Sequence, residues 1–105
     1  MLERLKILLG IQDEEQDALL NVLIVKATDV VLNYTRRQEL FPVLENIVVD
    51  IALIAYNRMG AEGEQSRGEG SVSRTFYELG EDLPKSILIQ LDRHTLPPKA
   101  RVVGV

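Results

Sequence analysis

The chain has 105 residues, 46% hydrophobic and 27% charged, with a net charge of −4. That is enough for one domain, 1–105, with a real core and little stability to spare. The absence of cysteine excludes disulfides, thiolate nucleophiles and cysteine metal sites, and the acidic balance argues against nucleic-acid binding, which needs a basic face.

Leu2, Leu5, Leu8 and Leu9 recur at helical spacing until Gly10 stops the run, which predicts a short amphipathic helix. This opening mixes charges with leucines and lacks the uninterrupted apolar centre of a signal peptide. A long helix is expected over 14–36. Asp13 is placed as its N-cap, and Gln16 as the partner that completes a capping box. Glu14, Glu15 and Asp17 at its start, and Arg36 and Arg37 at its end, suit the helix dipole. The acidic trio is read that way rather than as a metal patch. Its apolar surface is wide. Leu20, Leu23, Ile24, Ala27, Val31 and Tyr34 form one stripe, and Leu19, Val22, Val25 and Leu32 spread onto the flank. A small bundle needs only the stripe, so the flank is expected to meet another subunit or a mobile part of the same chain.

A third helix is expected over 42–59, with Pro42 in its first turn and Gly60 as the residue that ends it. Val43 to Tyr56 is apolar nearly all round, which predicts a central position. Asp50 and Asn57 share one face of it, as a polar seam or a water-facing edge. The apolar runs at 22–25 and 51–56 are short and flanked by polar residues, so no membrane span is expected. Residues 60–83 then read as a long flexible Gly/Ser-rich loop, with strand character around Val72, Phe76 and Tyr77. At about 3.3 Å per residue such a loop reaches across a neighbouring subunit. A last helix is expected over 84–94, and an extended tail over 95–105, because Pro97 and Pro98 forbid further helix. The fold class is therefore all-α: a small helical bundle of one short and two long helices and a C-terminal one.

No catalytic set assembles from these residues. Gly60, Gly63, Gly68 and Gly70 lack the Lys-Ser/Thr of a phosphate loop and the preceding strand of a dinucleotide fingerprint. His94 is the only histidine, without a second one for a metal site. No enzyme activity, cofactor or metal is expected.

Tyr56-Asn57-Arg58, Gly60, Glu62-Gly63, Ser66, Glu69-Gly70, Ser73 and Phe76 form a distinctive tract. With the "LLGI" that ends the first helix and the "DEEQDALLNVLI" that opens the second, it resembles the small head–tail connector (adaptor) proteins of tailed bacteriophages and prophages. The resemblance covers about residues 1–91. It implies a helical bundle that forms a homo-oligomeric ring, a dodecamer, on the portal protein, extends the DNA channel, and docks a stopper or tail-completion protein. DNA would pass without specific binding, and no membrane is involved. The protein would reside in the host cytoplasm during assembly and then in the virion neck. On this resemblance Tyr56, Asn57, Arg58, Glu62, Gly63, Ser66, Gly70, Ser73 and Phe76 are the expected subunit or partner contacts, joined by Leu19, Val22 and Val25 from the wide apolar face. Segment 60–78 is expected to order on a neighbour. The alternative is a non-viral helical module or regulator whose wide apolar helix receives a partner helix.

Overall fold

A computed structural model describes residues 1–61 and 69–98. Among these, five helices follow in order: α1 (Leu2–Leu9), α2 (Asp17–Thr35), α3 (Pro42–Ala61), α4 (Glu69–Glu81) and α5 (Lys85–His94). No described residue is in a strand. The all-α bundle expected from the periodicity is the observed fold.

α1 ends as its sequence dictates. Gly10 takes φ 73°, and its N–H donates to Ile7, while the Ile11 N–H reaches back to the Lys6 carbonyl at 2.9 Å. Only glycine enters this left-handed turn without a Cβ penalty. The start of α2 departs from expectation. The Asp13 carboxylate accepts from the Glu15 N–H at 3.1 Å, which closes a turn of its own, and the helix begins at Asp17 without a side-chain cap. A short polar side chain bonding two residues ahead competes with helix entry, so the expected capping box does not form.

α3 is the centre. Leu44, Ile47, Val48, Val49, Ile51, Ala52, Ala55 and Met59 are all buried, and α3 packs against each of the other four helices, most extensively against α2. Pro42 occupies its first turn, where a missing N–H costs nothing. Gly60 does not end the helix, which runs on to Ala61.

The stretch expected to be a loop over 60–83 contains α4. Val72, Thr75, Phe76 and Leu79 stand at helical spacing, and all four are buried, so burial of one stripe outweighs Gly70 and Gly80. The Thr75 hydroxyl donates to the Ser71 carbonyl at 2.8 Å, which satisfies it inside the core. The strand reading of Val72, Phe76 and Tyr77 therefore fails: Tyr77, on the other side of the helix, is 72% exposed. The remainder of the expected loop, 62–68, and the tail from 99 onward lie outside the described residues.

α2, with 19 residues and a mean hydropathy of 1.3, is long and apolar enough by composition to cross a membrane, contrary to the expectation from the short runs. In the bundle its stripe Leu20, Leu23, Ile24, Ala27 and Val31 is core, and a core helix of this kind passes the same test.

Because Ile51 is fully buried on the helix that every other element touches, Ile51→Ala is expected to cost about 2–5 kcal/mol in urea unfolding. Val25→Ala, on the outer face, should stay within about 0.5 kcal/mol of the parent.

Candidate assembly surfaces

The polar contacts are concentrated where helices begin and end. At one end, the Lys6 ammonium of α1 pairs with the Asp17 carboxylate of α2 at 2.8 Å. That hydrogen bond, together with the Asp17 charge, holds the Lys6 pKa above its ordinary 10.5, against a smaller opposing effect of burial. Asp17 thus ties α1 to α2 as well as opening a helix. Nearby, the Tyr56 hydroxyl of α3 donates to the Gln16 side-chain oxygen at 2.9 Å.

At the other end, α2 stops at Arg36, a non-glycine residue at φ 60°. This left-handed conformation costs about 1 kcal/mol or more. The strain is offset locally. Arg36 Nη1 donates to the Leu96 carbonyl at 3.0 Å, Arg37 Nε to the His94 carbonyl at 2.7 Å, and the Leu96 N–H to the Thr35 carbonyl at 2.8 Å. The two arginines read from sequence as dipole compensation instead clamp the chain that leaves α5. Arg37 also lies over the Phe41 ring at 5.0 Å, and Phe41 meets His94 edge-on at 5.6 Å. The Tyr34 hydroxyl donates to Asp92 at 2.6 Å, which with burial and the Asp92 charge raises the phenol above its ordinary 10.0.

Surface concavities lie among the described residues. One, about 200 Å³, is lined by Val22 and Lys26 of α2 and Val72 and Ser73 of α4. A second, about 250 Å³, lies between α3 (Asp50, Leu53, Ile54) and α5 (Ser86, Ile87, Gln90) with Pro84 just before it. A third adjoins α1 at Glu3, Lys6, Ile7, Ile11 and Gln12. Bare apolar side chains stand beside them. Val25 on α2 is 59% exposed, and Ile7 on α1 is 77% exposed with Leu8 next to it.

The residues expected at contacts are distributed unevenly over this body. Val22 and Val25 are exposed and Leu19 is half-buried against the core. Ser73 shares the α2–α4 concavity with Val22, and Gly70 and Asn57 face solvent. Phe76 is spent in the core. Tyr56 is half-buried and bonded to Gln16, and Arg58 lies 3.6 Å from Asp82. Glu62, Gly63 and Ser66 lie outside the described residues. The sequence reading missed the bare α1 face, although Ile7 interrupts the leucine spacing, and it missed the α3–α5 groove, which needs two distant segments to be brought together.

Among the described residues no three of His, Asp and Glu gather as a metal site would require. The match that places the chain among known proteins covers α1 to α4 and the first half of α5. A family described as phage gp6-like head–tail connector protein matches residues 1–89. The chain belongs to this family. No curated protein and no solved structure matches it. The connector's role is accordingly structural, joining the phage head to its tail, and its family match stops at Ile89, short of the arginine-clamped exit at 94–96.

Two pH dependences follow. Lys6 and Tyr34 have folded-state pKa values raised above their ordinary values, so their contributions are complete below pH 10 and are lost as pH rises through the raised values. Alkaline unfolding of the connector should therefore begin near pH 10, and Lys6→Met and Tyr34→Phe should each flatten part of that decline in a pH-resolved melting series. Asp50 is raised above its ordinary 3.8 by burial, with Arg4 opposing. A raised carboxyl opposes folding once pH exceeds the unfolded value. Asp50→Asn should melt higher than the parent at pH 7, and the gap should close below about pH 3.8.

Proposed function

We propose that this connector is a ring subunit. It assembles beneath the portal protein of the DNA-filled head, continues the DNA channel, and offers the next neck or tail protein its docking surface. Family membership over residues 1–89 carries the proposal. The bare apolar side chains support it: Val22 and Val25 on α2 and Ile7 and Leu8 on α1, of which Val22 and Ile7 line two separate concavities. Two different patches on one molecule suit a head-to-tail contact, the kind that closes into rings. The net charge of −4 suits a wall past which DNA slides without sticking. On this reading the protein works in the host cytoplasm during assembly and then in the virion neck.

The idea that all of 60–78 orders only on a neighbour does not survive the fold, since Val72, Thr75 and Phe76 are already packed within one chain. The surfaces left for neighbours are the outer faces of α1 and α2, with Asn57, Gly70 and Ser73 beside them; Glu62, Gly63 and Ser66 remain proposed contacts from the family tract.

The test is native mass spectrometry of the chain with and without its portal protein. The parent should form a multi-subunit complex on the portal. Val22→Asp with Val25→Asp should keep the melting temperature within a few degrees, since both are surface positions, yet reduce the assembled fraction at least tenfold. A parent chain indifferent to the portal, or a doubly substituted chain that assembles normally, would contradict the proposal.

A further inference from the structure

The bare face of α1 and the concavity between α2 and α4 are separate surfaces. Among the described residues α1 and α4 each pack on α2 and α3 and do not touch each other, and the two concavities share no lining residue. Ile7 stands out from α1 with exposed Leu8 beside it. The α2–α4 concavity, about 200 Å³, is lined by the buried Val72, by the exposed Val22 and Lys26, and by Ser73. A single branched aliphatic side chain fits such a space.

The two surfaces also carry opposite charges. Glu3 lines the α1 concavity together with Ile7, and Lys26 lines the α2–α4 concavity together with Val22. Among the described residues the ion pairs join Lys6 to Asp17 and Arg58 to Asp82, and neither Glu3 nor Lys26 takes part. The other cations of α1 are already engaged: Lys6 by Asp17, and Arg4 by a hydrogen bond to the Asn46 side-chain oxygen. The unmatched charge beside Ile7 is therefore a carboxylate, and the one beside Val22 is an ammonium.

Spacing and order complete the match. Glu3 and Ile7 stand four residues apart on α1, and Val22 and Lys26 stand four apart on α2. Each pair shares a helix face with its members about 6 Å apart along the axis. With the two helices antiparallel, Ile7 meets Val22 where Glu3 meets Lys26. With them parallel, Ile7 on Val22 carries Glu3 to Ala18, beside the acidic Glu14, Glu15 and Asp17, where like charges repel. We infer that Ile7 of one chain seats in the α2–α4 concavity of a second copy, with α1 antiparallel to the copy's α2 and Glu3 paired with the partner subunit's Lys26. This rests on the ring reading and specifies its subunit contact. An eight-residue helix makes a small contact, which binds weakly alone and gains from ring closure or from being held on a portal.

The chain has no cysteine, so designed thiols report without interference. Glu3→Cys chains are mixed with Lys26→Cys chains in concentrated solution without portal and oxidised; a second mixture uses Ala18→Cys in place of Lys26→Cys. The 3–26 disulfide should exceed the 3–18 disulfide and either homodisulfide at least threefold. A dominant 3–18 product, dominant homodisulfides, or no disulfide would overturn the inference. The second arm is charge exchange, read by native mass spectrometry on the portal. Glu3→Lys and Lys26→Glu, both at exposed positions and so melting within a few degrees of the parent, should each reduce the assembled fraction at least fivefold, and the two together should restore most of it. Single variants that assemble normally, or a double variant that stays dispersed, would overturn the pairing while a parent complex on the portal keeps the ring reading. A parent chain that ignores the portal would remove the ring reading instead, and the portal-free disulfides would still decide the pairing.

Discussion

Everything in this molecule depends on covering α3. Eight of its side chains, from Leu44 to Met59, are buried, and an α-helix that apolar on several faces cannot stand in water alone. α2 covers the largest part, and α1, α4 and α5 take the remaining sides. Among the described residues these three helices pack on α2 and α3 and not on one another. Each is short, and a short helix has little stability of its own; each holds its place because one stripe of it closes over the α2–α3 pair. Val72, Thr75, Phe76 and Leu79 do this for α4, Leu5 for α1, and Ile87 and Leu91 for α5.

Since the apolar stripes fix the helices sideways, the polar contacts are left to fix them lengthwise. Lys6 and Asp17 set the step from α1 to α2. Tyr34 with Asp92, and the two arginines with the carbonyls of 94 and 96, set where α5 ends against α2. The backbone strain at Arg36 belongs to the same arrangement: the turn that costs energy is the one that presents both guanidinium groups to the departing chain. Apolar surface is left over on the outer faces of α1 and α2, at Ile7, Leu8, Val22 and Val25.

Much of this was legible in the residues. The leucine spacing of α1 and its glycine stop, the apolar stripe of α2, and the all-round apolarity that makes α3 central are local patterns, and local patterns are what a sequence displays. The family tract from Tyr56 to Phe76 was equally plain, because it is a matter of residue identity. α4 was hidden for a physical reason. Glycine and serine lower the helix propensity of its segment, and its stabilisation comes from burial against α2 and α3, which propensity does not register. The start of α2 was misplaced because Asp13 had two bonding choices, a helix cap or a turn of its own, and took the second.

The sequence by itself determined the class of fold, the central helix, the lack of cysteine chemistry and the family. Only the tertiary structure decided that Phe76 belongs to the core, that Arg36 and Arg37 hold carbonyls sixty and fifty-seven residues away, and that α3 and α5 leave a groove lined in part by Asp50. The reason is one of range. Hydrophobic period and turn chemistry act between near neighbours in the chain, whereas burial and groove shape depend on which distant surfaces the packing of α3 brings together.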